Sequence, residues 1–261
     1  MTDTELEVLP KVGGNRSLHF EWILPLFFKP RRTLQQVAQQ EKPVWLVPLL
    51  ILTVIALMNV LAAMPARRLA AQNGTKLPAD YQYYSPDQQA QFQQTQQLRQ
   101  GTVFTLLFPA AGALAGVWIG WFLTASILHL ALTLSGSRSS NLTVLNLVGW
   151  ASLPLALRFL LQAFVVLFSH QVIRAAGLAG FIAAGGGGFS SLMRALLGLV
   201  DIYLIWQVAL LLIGVSLLAS SAPAKARIAV WVTLLLVLSL QALPSFVIAR
   251  FSGQQVTRLF F

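Results

Sequence analysis

The residue types that do chemistry in proteins are scarce in this sequence of 261 residues. It contains no cysteine, which excludes disulfides, thiolate catalysis and iron–sulfur ligation. Its three histidines, His19, His129 and His170, stand far apart, without an HExxH motif and without enough neighbouring carboxylates to complete a metal set. We therefore expect no metal site, no cofactor and no catalytic residues.

The serine-rich and glycine-rich stretches also lack the pattern of a site. Residues 135–139 do not match the GxSxG motif of serine hydrolases. The glycines at residues 185–188 are not a phosphate-binding loop, because no strand precedes them and no Lys-Ser/Thr pair follows. The sequence thus predicts a protein that is not an enzyme.

An acid and an arginine in the apolar part of the chain are the sharpest local signal. Asp201 is the only one of the eight acidic residues that does not precede Gln88. An unpaired charge near the bilayer centre costs ~2.5–3.5 kcal/mol even on the lenient insertion scale, so Asp201 requires a partner. Arg158 is the expected partner, because both residues lie ~15 Å from the same side at about 1.5 Å per helical residue. We expect Gln162 and Gln207 to complete a polar cluster.

This intramembrane polar pair has two interpretations. It could be a proton or ion site, or it could be a structural pair that fixes the register of two helices. We favour the structural role.

The composition defines the elements that must position this pair. Hydrophobic residues make up 56% of the chain and charged residues only 10%, and the mean hydropathy is +0.70, far outside the range of soluble domains. The net charge of +10 is spread over helix ends and does not form a basic domain, which favours anionic lipid headgroups over nucleic acid as the partner. We predict an all-α, polytopic membrane protein with a five-helix transmembrane bundle.

Five apolar stretches are long enough to cross a bilayer, which takes ~20 helical residues. The expected spans are residues 44–64, 102–134, 142–168, 192–219 and 228–249, within a membrane domain of residues 44–250. Residues 171–184 are too short to cross and are expected to be re-entrant or interfacial. The polar residues 65–101 form a loop in which Pro86–Gln100 is predicted to be a helix, either a small docking surface or an extension of the second span.

Three glycines in the second span share one helix face. Gly112, Gly116 and Gly120 recur every four residues, a pattern that lets another helix backbone approach closely. We expect a packing seam within the molecule in preference to a dimer interface.

The segment before the first span combines aromatic and basic residues. We predict a disordered cytoplasmic tail at residues 1–17 and an interfacial segment at residues 18–43, with an amphipathic helix from Pro30 to about Gln40. Lys29, Arg31 and Arg32 are the expected lipid-surface contacts. A solvated charge run is the alternative interpretation.

The basic residues also predict the sidedness of the chain. More of them fall on the side of the N-terminus than on the other, which places the N-terminus in the cytoplasm and the tail at residues 251–261 outside. The residues on the N-terminal side are Lys29, Arg31, Arg32, Lys42, Arg138, Lys225 and Arg227, and those on the other are Arg67, Arg68 and Lys76.

Four short motifs give the chain a resemblance to a known family. They are FFKPRRT at residues 27–33, PVWLVP at 43–48, SLP at 152–154, and DIYxxW at 201–206 with Gly214 after it. Together they resemble the prokaryotic branch of the Yip domain family, the Ypt/Rab-interacting membrane proteins. The resemblance implies a five-span fold with a cytoplasmic N-terminus, and it covers residues 20–250.

The same resemblance implies two kinds of partner. Eukaryotic relatives are membrane-traffic factors that contact prenylated small GTPases, whereas some bacterial relatives are tied to the assembly of ABC-type exporters. This chain lacks the long N-terminal extension of the eukaryotic members, so we do not expect a small GTPase as partner. We predict a non-enzymatic accessory or scaffold protein. A small transporter or proton-linked channel built on Arg158 and Asp201 is the alternative, although the sequence shows no internal repeat.

Overall fold

The computed structural model describes residues 18–73, 81–171, 177–182, 188–218 and 223–252. These residues contain helices and no strand, which confirms the all-α fold. The predicted tail at residues 1–17, most of the predicted tail at 251–261 and part of the predicted re-entrant segment lie outside the described residues. In chain order the helices are α1 Ile23–Phe28, α2 Pro30–Ala38, α3 Leu46–Asn73, α4 Pro86–Gln100, α5 Phe108–Leu134, α6 Asn141–Ala151, α7 Leu153–Ser169, α8 Gly188–Leu197, α9 Ile202–Leu218 and α10 Pro223–Ser252.

Four stretches of helix in the described part of the chain are long and apolar enough to cross a membrane. They are Leu46–Gln72, Val103–Leu134, Asn141–Ser169 and Pro223–Pro244. A fifth crossing results if α8 and α9, which meet at an angle of 66°, together form one span. The molecule is therefore a polytopic helical bundle.

The predicted fourth span, residues 192–219, is not one continuous helix. It is divided into α8 and α9 by a break at residues 198–201. Asp201 ends the break because its side chain accepts hydrogen bonds from the first free backbone N–H groups of α9. A 3-10 helix, Gly177–Phe181, packs against the break, and the N–H of Leu178 donates to the carbonyl of Val200 at 3.1 Å.

The first span continues further than the sequence suggested. The sequence predicts its end at residue 64, directly before Pro65, but α3 passes through Pro65 and runs to Asn73. The guanidinium of Arg67 donates to the carbonyl of Val60 at 3.3 Å, so one carbonyl near the proline gains a side-chain donor. Beyond this span, α4 has the predicted bounds, Pro86–Gln100, and begins with a capping box between Ser85 and Gln88.

Prolines shape the second and third spans without ending them. A turn of π-helix at Val103–Leu107 precedes Pro109 at the start of α5. The third span is interrupted only at Ser152, directly before Leu153 and Pro154 begin α7. In both places the regular α-helical pattern is interrupted near a residue that lacks a backbone N–H.

One end of the bundle is identified by residues that line a common surface pocket. The pocket is formed by Gln39 just after α2, by Ser137 between α5 and α6, and by Leu218 at the end of α9. The N-terminal segment, the connection between the second and third spans and the end of α9 therefore lie at the same end.

Candidate functional site

The intramembrane polar pair lies where α7 meets the break between α8 and α9. Arg158, on α7, is only 8% exposed, and Asp201 directly precedes α9. The distance from Arg158 Nε to Asp201 Oδ2 is 3.0 Å. The structure thus brings these two residues together as an ion pair between neighbouring elements.

Asp201 has a second role, which the sequence reasoning missed. Its Oδ1 accepts hydrogen bonds from the backbone N–H groups of Tyr203 at 3.1 Å and Leu204 at 3.0 Å. The carboxylate is therefore the N-cap of α9, where a negative charge is also favoured by the helix dipole. Its signal was present in the sequence, since Gly198 and then Asp201 precede an apolar run.

Arg158 keeps N–H donors without acceptors. Its Nε lies close to Asp201 but is not aligned for a hydrogen bond, and its Nη2 has no hydrogen-bond partner among the described residues. A buried donor left unpaired costs about 1–3 kcal/mol. The pair is therefore balanced in charge but not in hydrogen bonding.

The two glutamines of the predicted cluster lie near the pair but bond elsewhere. Gln207 on α9 donates through Nε2 to the hydroxyl of Ser152 at 3.0 Å. Gln162 on α7 accepts through Oε1 from Asn59 on α3 at 3.4 Å. Each glutamine thus joins two spans. In the described structure these hydrogen bonds do not involve Arg158 or Asp201.

A cavity of about 110 Å³ lies beside Arg158 in the middle of the bundle. Its wall consists mainly of leucine, valine, phenylalanine and tryptophan side chains from α3, α5, α7, α9 and α10. Polar side chains enter this wall from several elements: Thr124, Ser152, Arg158, Gln207, Thr233 and Gln241. Such an apolar space with a few polar groups is typical of a small-molecule site.

The three glycines of the predicted packing seam lie on α5. Gly112 is buried, whereas Gly116 and Gly120 are half-buried and line the cavity. A Cβ atom added at Gly120 would meet only Nε2 of Gln241, at 3.6 Å, so no other backbone approaches closely there. Close helix contacts are seen at two other glycines: an added Cβ at Gly214 would overlap the side chain of Leu147, and one at Gly149 would lie 3.0 Å from Cβ of Trp45.

The interfacial segment packs against the helix bundle. Leu26, Leu34 and Val37 are 0% exposed and belong to the hydrophobic core formed with α6 and α9. The apolar face of α2 was expected to sink into lipid headgroups, but it packs against protein, because an amphipathic pattern does not distinguish lipid from a neighbouring helix.

The opposite side of this segment is exposed and carries both charge and large apolar groups. Phe20, Leu24 and Phe28, four residues apart, are 55%, 70% and 81% exposed. The three predicted lipid contacts follow directly in the sequence and are also exposed. We call this the basic–aromatic surface: Phe20, Leu24, Phe28, Lys29, Arg31 and Arg32.

Three hydrogen bonds from Asn146 and Trp150 on α6 hold the backbone between the interfacial segment and α3 in place. Asn146 on α6 accepts from the N–H of Val44 and donates to the carbonyl of Lys42, both at 2.9 Å. The indole of Trp150 donates to the carbonyl of Val44 at 3.0 Å. Sequence reasoning missed Asn146, although an asparagine inside an apolar span is a signal of a buried polar contact.

The residues that the structure describes contain no group of three histidine, cysteine, aspartate or glutamate side chains that could hold a metal ion. His129 is part-buried on α5, and its Nδ1 has no hydrogen-bond partner within the described ranges. His19 stacks on Trp22 with ring centroids 3.9 Å apart and contacts Glu21 at 2.8 Å. His19 and His129 are therefore packed side chains, whereas His170, at the C-terminal end of α7, is exposed.

Fold and site together define a class, a polytopic helical membrane protein with a buried ion pair and a cavity at its centre. A family model, the Yip1 domain, matches residues 25–245, which is most of the chain. The protein belongs to the Yip1 domain family. Searches of curated proteins and of solved structures found no match.

Proposed function

We propose that this protein is a non-enzymatic accessory or scaffold protein that holds a partner membrane complex beside anionic lipid. The observation that carries the proposal is the exposed basic–aromatic surface of a segment whose other side is buried against the bundle. Leu26, Leu34 and Val37 fix the segment to the bundle, while its other side presents arginines and aromatic rings to the surroundings. Such groups suit contact with lipid headgroups and with acidic or apolar protein surfaces.

The proposal includes sidedness and a class of partner. The N-terminus lies in the cytoplasm, where anionic lipids and the basic–aromatic surface attract each other. An ABC-type exporter is the partner class implied by the resemblance to bacterial relatives. A membrane complex also suits the lateral helix faces, on which many leucine and phenylalanine side chains are exposed.

The test is co-purification of the tagged full-length protein from native membranes in mild detergent. We expect a membrane complex in stoichiometric amount with the wild-type protein and its loss with Arg31→Glu/Arg32→Glu. Both arginines are exposed, so the fold should be unchanged. Reversing both charges replaces attraction to an acidic partner surface by repulsion, which removes the electrostatic complementarity that the complex needs.

Lys225→Glu/Arg227→Glu is the matched control, because it reverses two exposed charges at the same end of the bundle. This control should retain the partner. Purification of the wild-type protein without a stoichiometric partner, or equal loss with both double variants, would contradict the scaffold proposal.

A small transporter or proton-linked channel is the second candidate, and one observation favours it. Transporters often bind substrate where a span is broken, next to a midplane cavity. Here the break between α8 and α9 carries Asp201, which pairs with Arg158 in the wall of the cavity.

Reconstituted liposomes distinguish the two candidates. With a pH-sensitive dye trapped inside, a proton pathway would acidify the lumen after an external acid step, and Asp201→Asn would abolish that signal. A scaffold would give the same slow leak as empty liposomes, with or without the substitution.

A further inference from the structure

The central cavity has a chemical character that the scaffold proposal does not use. Arg158 is more than nine-tenths buried, lines the cavity and has an Nη2 group without a partner in the described structure. The hydroxyls of Thr124 and Thr233 donate to carbonyls of their own helices, at 2.7 Å and 2.8 Å, so their protons are already used. The free hydrogen-bonding capacity of Arg158 therefore calls for an acceptor.

The size of the cavity limits the group that supplies this acceptor. A volume of about 110 Å³ is somewhat smaller than the roughly 150 Å³ cavity known to bind benzene. It accommodates a carboxyl or ester group with a few carbon atoms. A longer molecule has to leave the cavity through an opening.

The burial of the lining residues indicates where that opening lies. Ser152, Arg158 and Gln207 are buried, and the half-buried lining residues lie on α5 and α10 except for Leu155 on α7 and Leu204 on α9. The mouth is therefore assigned to the seam between α5 and α10. Apolar side chains on both helices are exposed beyond it, including Ile119 at 57% and Leu235 at 69%, and in a membrane they face acyl chains.

We propose that this cavity binds the carbonyl end of an acyl chain, with Arg158 as the donor to its oxygen and the chain leaving between α5 and α10. The source is either a free fatty acid, through its carboxylate, or a phospholipid, through its ester.

The test uses cis-parinaric acid, a fluorescent fatty acid, with the purified full-length protein in detergent. Trp121 lines the cavity, so energy transfer from tryptophan to the bound probe reports occupancy. We expect saturable binding of one probe per protein. Palmitic acid or a palmitoyl phospholipid should displace the probe, and the better competitor identifies the source. Hexadecane, which has the chain but no acceptor, should compete at least about tenfold less well.

Two variants separate binding in the cavity from uptake into the micelle. Gly120→Leu places a side chain in the cavity and should weaken probe binding by at least about tenfold. Its backbone site tolerates a Cβ, since the nearest atom is 3.6 Å away. Ala115→Leu adds the same side chain on an exposed part of α5 outside the cavity and should leave binding unchanged.

A third variant tests the role of the guanidinium. Arg158→Met/Asp201→Asn removes both charges together, so that no buried charge is left unpaired. It should bind palmitic acid and hexadecane equally well. Absence of saturable binding, equal effects of Gly120→Leu and Ala115→Leu, or an unchanged preference for palmitic acid in this variant would overturn the proposal.

Discussion

Asp201 joins two interactions in one carboxylate. One oxygen contacts the guanidinium of Arg158, and the other accepts two backbone N–H groups of α9. The same residue therefore neutralises the charge of Arg158 and caps the start of α9. Removal of one partner leaves a buried charge, which typically costs about 3–5 kcal/mol, whereas removal of both charges costs much less.

We accordingly predict strong coupling between the two residues. Arg158→Met or Asp201→Asn alone should destabilise the protein more than the double variant, with a coupling of about 1–3 kcal/mol. Asparagine keeps the capping oxygen, so the cycle reports the charge contact and not the cap. Thermal unfolding of the purified variants measures this coupling, and additive effects would mean that the pair does not act as a unit.

Asn146 is the other residue whose side chain holds distant parts of the chain together. Asn146→Leu should destabilise the protein by about 1–3 kcal/mol, because it leaves the buried N–H of Val44 without an acceptor. Asn141→Leu makes the same change at an exposed position of α6 and is the control. Equal midpoints of thermal unfolding for the two variants would show that the hydrogen bonds of Asn146 contribute nothing to stability.

At the scale of elements, glycine determines how closely α6 and α9 pack. A Cβ at Gly214 would lie 2.9 Å from Cγ of Leu147 and nearer still to its Cδ1, and Leu147 is fully buried. Gly214→Ala should therefore cost about 1–3 kcal/mol through overpacking. Gly120→Ala should be neutral or stabilising, because its space is open and alanine favours the helix by up to ~1 kcal/mol. The reverse order of melting temperatures would contradict this packing.

The helices also show which features of the fold can be predicted from the sequence. The helices and the partner of Asp201 could be predicted, because apolar length defines a span and a charge inside it requires a counter-charge. Hydropathy alone does not reveal the break before Asp201, because it does not register a capping side chain, and only the local pattern of Gly198 followed by Asp201 indicates it. The bonds of Asn146 to Lys42 and Val44 join residues more than a hundred positions apart, and no local pattern contains them.

For the whole molecule, the proposed function depends on which end of the bundle carries the basic–aromatic surface. The basic–aromatic surface, the connection between α5 and α6 and the end of α9 lie at one end, while α4 follows the far end of α3. If α8 and α9 form one crossing, the chain crosses five times and its ends lie on opposite sides. In the proposed orientation, with the N-terminus in the cytoplasm, the basic–aromatic surface faces a cytoplasmic partner.

The most direct test of this account is cysteine accessibility in intact cells, which is simple here because the chain has no cysteine of its own. Gln39→Cys, Gln94→Cys and Ser252→Cys place single thiols after α2, in α4 and at the end of α10. With a membrane-impermeant maleimide, we predict labelling at residues 94 and 252, and labelling at residue 39 only after the cells are opened. Labelling of residue 39 in intact cells, or protection of residue 252 together with residue 39, would contradict the five-crossing arrangement with a cytoplasmic N-terminus.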